Sequence, residues 1–388
     1  MSVNFKDTQI AFERKTNKQL RKMSWLFGMM SKSWLVNIGS KLSLVALRIG
    51  LPIKGIIKST IFEQFCGGTS VEESLKTVHE LSAYGVDTVL DYGAEAKESE
   101  ADFDNTLTEF LKAVEFAGAN KSVEIVSAKV TGLARFSVLE KVSAGKALNE
   151  QEQQSWEGTI ARLDKLCKLA KQQNSALFID AEESWIQAAI DQATDLMMER
   201  YNTESIVVYN TFQMYRHDRL AFLKKSFERA REKGYILGAK LVRGAYMEKE
   251  RTRAKEMNYT SPIQPNKEAT DRDYDAAVTF CANNHEQIAT CVASHNQKST
   301  EHLMEIMSAL GLEQEHPHLS FCQLYGMSDN LTFNLAKAGY RVGKYVPFGP
   351  IKDVIPYLIR RAQENSSVGG EVGRELKLIH KELKRRKK

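Results

Sequence analysis

Eight short apolar runs recur along this chain, and the stretches between them read as amphipathic helices. The runs are VDTVLDYG (86–93), VEIVSAKV (123–130), SALFIDAE (175–182), SIVVYNTF (205–212), YILGAKLVRG (235–244), QIATCVASHN (287–296), LSFCQLYG (319–326) and YRVGKYVPFG (340–349). Segments such as SVEESLKTVHELSAYG and GTIARLDKLCKLAKQQN lie between them with helical spacing. Strands alternating with helices make βαβ units and a parallel sheet. Eight such units fit a closed (β/α)8 barrel better than an open sheet.

Each run is apolar first and turns chemical at its end: Asp91, Lys129, Asp180, Asn210 with Gln213, Lys240 with Arg243, His295, Gln323 and Tyr345. In a parallel barrel these ends meet at one mouth, where such folds keep their active sites. A single polar strand end is commonly a cap or a core hydrogen bond; eight together point to an enzyme. Strand alternation sends Lys240 and Arg243 to opposite faces, and Gly244 permits close backbone approach. Near the C-terminus, YLIRRAQENSS puts Tyr357 one helical turn before Arg360 and Arg361, with Glu364 one turn after. Paired guanidinium forks match a small carboxylate, although the same spacing also suits an exposed helix with ion pairs. Asp353 is expected to cap that helix, with Pro356 in its first turn.

Other classes are disfavoured. The five cysteines are scattered with no CxxC pair, which indicates a reducing compartment rather than a disulfide frame or zinc ribbon. No GxGxxG follows a strand, and GxxxxGK[ST], HExxH and GxSxG are missing. The HPH at 316–318 reads as a surface loop, and no metal site is expected. Residues 1–60 carry eleven Lys/Arg against Asp7 and Glu13, and the last twelve carry seven against Glu382, so the +5 net charge leaves the middle near −10. Basic, amphipathic ends on an acidic body suit an anionic membrane surface better than a nucleic acid. No signal peptide is expected, and Lys41, Arg48 and Lys54 interrupt the apolar stretch after residue 32 too often for a membrane span. The expected division is a basic helical segment over 1–60, a catalytic barrel over 61–370 and a basic tail over 371–388.

The motifs KLVRGAY, ASHN, QLYGM, KYVPFGP and YLIRRAQENSS, in this order, resemble the proline dehydrogenase family of flavoenzymes, over about 62 to 368. That resemblance implies a distorted (β/α)8 TIM barrel with extra N-terminal helices, FAD at its C-terminal mouth and a final helix above it. It implies oxidation of L-proline to Δ1-pyrroline-5-carboxylate, with electrons passed to a membrane quinone. A separate pyrroline-5-carboxylate dehydrogenase would consume the product. By the same resemblance, Arg360, Arg361 and Lys129 anchor the substrate carboxylate, while Tyr246, Leu324, Tyr345 and Tyr357 wall in its ring. Asp180 offsets the cations, and Glu95 is a gate carboxylate. Lys240 stands where many relatives have arginine, beside the flavin. Arg243, Gly244, Ala245, Ser294, His295, Asn210, Gln213, Gln323 and Glu364 are cofactor contacts. Tyr345 leaves little room for a 4-hydroxyl. The implied location is the inner face of a bacterial inner membrane, or the matrix side in a mitochondrion. Two readings from other classes stand beside this one: a flavin-free barrel lyase or aldolase with Lys240 or Lys129 as Schiff base, and a membrane scaffold without activity. The charged stretch after strand five could be a mobile lid or a static helix.

Overall fold

In this computed structural model the described residues are 3–32, 34–36, 38–39, 54–93, 97–367 and 371–387, with side chains left out over 363–371. All eight runs form strands: β1 (Asp87–Tyr92), β2 (Ile125–Ala128), β3 (Ala176–Ile179), β4 (Val208–Gln213), β5 (Leu237–Val242), β6 (Ile288–Ala293), β7 (Leu319–Leu324) and β8 (Val342–Phe348). They close into a barrel in chain order, with parallel registers such as Ser127 against Phe178 and Thr211 against Lys240. Helices separate the strands, as a parallel sheet requires. Five helices matter most for the site and its supports, numbered in chain order: α1 (Asn17–Met30), α2 (Ser184–Tyr201), α3 (Met247–Glu256), α4 (Ile351–Ser367) and α5 (Glu371–Arg385).

The chain forms two compact units, Val89–Cys322 and Met1–Thr88 together with Gln323–Lys388. In the first unit, strands β4 and β5 are buried along almost their whole length, as expected of a sheet covered on both faces. The hydrogen bonds around Asn202 show why the turns hold. Its amide donates to Val208 O and Ile236 O and accepts from Val207 N and Val208 N, so one side chain ties the end of α2 to two strands.

In the second unit, α1 opens with a complete capping box between Thr16 and Gln19. Its apolar stripe, including Leu20, Met23, Leu26, Phe27 and Met30, belongs to one cluster with Leu358 of α4 and Ile379 of α5. The basic C-terminal stretch is therefore a packed helix rather than a solvated tail. Glu375 and Glu382 are buried on it, and Glu382 takes Arg385 and Arg386 at 2.8 and 2.6 Å. Helix α4 also starts earlier than expected. Asp353 lies within its first turn and Pro356 in its interior, since Pro350 O already accepts from Asp353 N and Val354 N. Among the described residues no helix is long and apolar enough to cross a membrane; residues 40–53 of the apolar stretch lie outside them.

Candidate active site

In the first unit, strand ends gather four charges. Asp180, just past β3, holds Lys240 of β5 at 2.6 Å through one oxygen and Lys129, just past β2, at 3.4 Å through the other. Lys129 also lies 3.4 Å from Asp91 of β1. All four are buried, and the Lys240 amine stands 4.8 Å from the centroid of Phe178. Each buried ammonium thus has a carboxylate beside it, the arrangement that makes buried ions tolerable. Asp91 is visible in the sequence only as a strand-end acid; the signal for its role is that β1 and β2 are neighbours, so its carboxylate comes within reach of Lys129.

Lys240 and Arg243 do face opposite ways. Arg243 Nε donates to Asp271 at 2.7 Å, and its two terminal nitrogens donate to Ser294 Oγ and Ser299 Oγ at 2.8 and 3.0 Å. The guanidinium also stacks 4.2 Å from the Tyr274 ring. Gly244 has φ +142, and a Cβ there would come 2.4 Å from the Tyr215 ring. That glycine is therefore demanded by the protein's own packing. Gln213 bridges the same corner: Nε2 donates to Glu182 O at 2.7 Å and Oε1 accepts from Ala245 N at 3.3 Å. Asn210, three residues earlier and of opposite strand parity, sits elsewhere. Its amide donates to Asp191 at 3.0 Å, and Asp191 also accepts both terminal nitrogens of Arg219 at 2.8 Å. Asn210 and Gln213 thus serve separate networks. His295 is half-buried beyond β6.

In the second unit, Gln323 accepts from Thr332 Oγ at 2.7 Å. The Lys344 amine, with no exposure, lies 3.0 Å from Asp329, donates to Leu324 O at 3.4 Å and bonds Met327 O as well. Arg14 reaches the same Asp329 at 2.7 Å, and these cations hold its carboxyl down at about 2 against the pull of burial. Tyr325 N donates to Tyr345 O at 2.9 Å, so Leu324 and Tyr345 are fixed side by side. On α4, Tyr357 is buried, and the Arg361 guanidinium lies 5.5 Å from its ring, with Arg360 beside it half-buried. Glu95 lies outside the described residues, as does the side chain of Glu364.

The proline dehydrogenase family model matches residues 74–374. The chain belongs to this family. Membership of this enzyme family supports an oxidoreductase over a scaffold without activity. The carbapenem antibiotics biosynthesis protein CarD of Pectobacterium carotovorum subsp. carotovorum is 34% identical over 333 residues, covering 86% of this chain and 86% of that protein. Proline dehydrogenase 1, mitochondrial, of Dictyostelium discoideum is 32% identical, covering 88% and 67%. The hydroxyproline dehydrogenase of Xenopus laevis is 31% identical, covering 99% and 90%. Among solved structures, proline utilization A (PutA) of Bdellovibrio bacteriovorus, inactivated by N-propargylglycine, matches with a TM-score of 0.75 at 20% identity. The match takes in 95% of this chain and 40% of that one, a likeness of fold.

Proposed function

We propose that this member of the proline dehydrogenase family oxidises L-proline to Δ1-pyrroline-5-carboxylate, using FAD and passing electrons to a membrane quinone. The observation that carries the reading is the buried Lys129–Asp180–Lys240 cluster at the barrel's strand ends, in a chain that the family model covers over most of its length. Strand β4 offers a place for the cofactor. Thr211 Oγ1 is buried without a hydrogen-bond partner among the described residues, and Thr211 pairs in register with Lys240. Paired residues on parallel strands face one way, so a hydroxyl and an ammonium are aimed into the same interior space. A planar group rich in acceptors fits there. When bound, FAD supplies the two-electron oxidation.

The protein's own residues supply position and charge. In this reading Lys129, Arg360 and Arg361 take the carboxylate, and Asp180 keeps the lysines charged and aimed. Tyr246, Leu324, Tyr345 and Tyr357 exclude water from the ring, which strengthens each ion pair. Neighbouring cations lower the pKa of the substrate ammonium, which releases its proton to solvent; the lone pair so freed would then assist departure of hydride from C5 to the two-electron acceptor. Lys240 favours negative charge on the reduced partner. Arg243 and the Gly244–Ala245 corner hold the cofactor's side of the site with Gln213, Ser294 and His295.

The proposed membrane contact has a physical basis in α1. Its sequence contains no acid, and Lys18, Arg21, Lys22 and Trp25 fall on one helical face, opposite the packed stripe. Trp25 is 54% exposed, and Trp34 is 61% exposed just beyond the helix. Basic residues around an exposed indole are the pattern of a helix lying in an anionic lipid interface.

Recording the visible spectrum and then adding L-proline without oxygen tests the reading. Flavin bands that bleach support it. Flavin that stays oxidised with L-proline but bleaches with hydroxyproline would move the substrate toward that of the Xenopus relative. A protein that never takes up FAD would return weight to the Schiff-base barrel.

A further inference from the structure

Helix α3 carries a carboxylate that none of these roles uses. Glu250 has no exposure, and its two oxygens accept from one residue, Ser184 N and Ser184 Oγ, at 2.6 Å each. Ser184 opens α2, and Glu183 at the preceding position makes no side-chain cap. The first N–H groups of a helix need an acceptor, and a negative charge is favoured at that end. Glu250 supplies both from a different helix. Neighbouring residues repeat the clasp: Lys249 reaches Glu183 at 2.6 Å, while Arg253 pairs with Glu140 and lies 4.5 Å from the Trp185 ring. The Lys249 side chain is 64% exposed, so its ion pair contributes little. The buried carboxylate decides.

What it joins gives the clasp its meaning. Glu250 N donates to Tyr246 O at 2.9 Å, so the carboxylate stands one helical turn from Tyr246. On the other side, Ser184 comes four residues after Asp180. Between them Glu182 accepts from Thr131 N and Oγ1 at 3.0 and 2.5 Å. The segment leading from Asp180 into α2 is therefore pinned from the end of β2 on one side and from α3 on the other. Over α3, the charged stretch beyond β5 is a helix docked on the Asp180 segment.

We propose that Glu250 is a positioning residue. By capping α2 through Ser184 it fixes Tyr246 relative to Asp180, and so sets how tightly substrate is held without touching the bonds that change. This rests on the substrate roles proposed for Tyr246 and Asp180.

The test compares Glu250→Ala, Glu250→Gln, Ser184→Ala and the Ser184→Ala/Glu250→Gln pair in the full FAD-loaded chain. Glu250→Ala is expected to raise the KM for L-proline about tenfold while kcat stays within about twofold. Glu250→Gln, which keeps one acceptor, should recover part of the loss, and the pair should be no worse than its poorer single. Hydrogen exchange should show protection lost together in 180–188 and 246–250 while β6 and β7 keep theirs. Unchanged KM, a fall in kcat alone, or protection lost in only one of the two segments would overturn the proposal. If the unaltered protein does not turn over L-proline, the functional reading fails, and the exchange data still decide whether Glu250 couples the two segments.

Discussion

Removing Asp180 is the sharpest test of the buried charge cluster. Its carboxylate holds Lys240 at 2.6 Å and Lys129 at 3.4 Å. With an effective dielectric of about 20, those attractions come to about 6 and 5 kcal/mol. Desolvating the three ions costs several kcal/mol each, which offsets most of that gain. The net effect of Asp180→Asn is therefore set by the two buried ammonium groups that remain. Lys129 is still 3.4 Å from Asp91, while Lys240 exchanges its carboxylate for a neutral amide beside the Phe178 ring. Losing one partner of a buried pair costs about 3–5 kcal/mol, and the residual Asp91 contact argues for the lower end. Urea unfolding of Asp180→Asn should lose about 3 kcal/mol. Lys240→Met removes the ammonium that Asp180 holds at 2.6 Å, so the Asp180→Asn/Lys240→Met pair should regain at least about 1 kcal/mol relative to the sum of the singles. Additive singles, or a loss below about 1 kcal/mol, would refute the claim that Asp180 compensates both lysines.

Three further outcomes are expected from other parts of the molecule. Burial raises the Glu375 carboxyl to about 7, with Arg374, Asp329 and Lys344 around it. A raised folded pKa means that its stabilising proton is fully present below about 4.5 and lost as pH rises through 7. Glu375→Gln should thus overtake the unaltered protein by about 3 kcal/mol between pH 5 and 8 in urea unfolding. Gly244→Ala would drive a Cβ into the Tyr215 ring, at a φ that disfavours side chains; a loss of about 3 kcal/mol in urea unfolding, with L-proline turnover falling at least about tenfold, is expected. Reversing Lys18, Arg21 and Lys22 to glutamate should abolish sedimentation with phosphatidylglycerol vesicles while sparing turnover with a soluble dye.

Much of this fold is legible from periodicity alone, and the reason is burial. Strands covered on both faces are rich in apolar residues, so VVYNTF and LGAKLV stand out against polar helices even with Asn210 and Lys240 inside them. Side-chain direction is harder to read. Asn210 and Gln213 look like one pair of amides, yet an odd separation on a strand puts them on opposite faces, and Asn210 joins Asp191 and Arg219. Parity carries that signal. Asp91 is visible as a residue, but its bond to Lys129 depends on which strands are neighbours, a fact of topology rather than of local pattern. The C-terminal stretch misleads because its charge dominates its composition, while four residues, Val372, Glu375, Ile379 and Glu382, spaced for one helical face, are the ones that become buried.

The packing of α5 on α1 has a consequence for how the chain is made. Lys381 donates to Lys6 O, Arg386 to Phe12 O, and His380 meets Ser24, so segments more than 350 residues apart complete one core. At about 5–20 residues per second, a ribosome takes on the order of 20–70 s to travel between them. Throughout that interval the apolar stripe of α1 is finished but lacks the partner that covers it. A tethered, basic, tryptophan-bearing helix with no core to join is a substrate for a holdase, or for the very lipid surface proposed for its other face. The birth order of this chain therefore leaves that stripe open to other surfaces before the fold is complete.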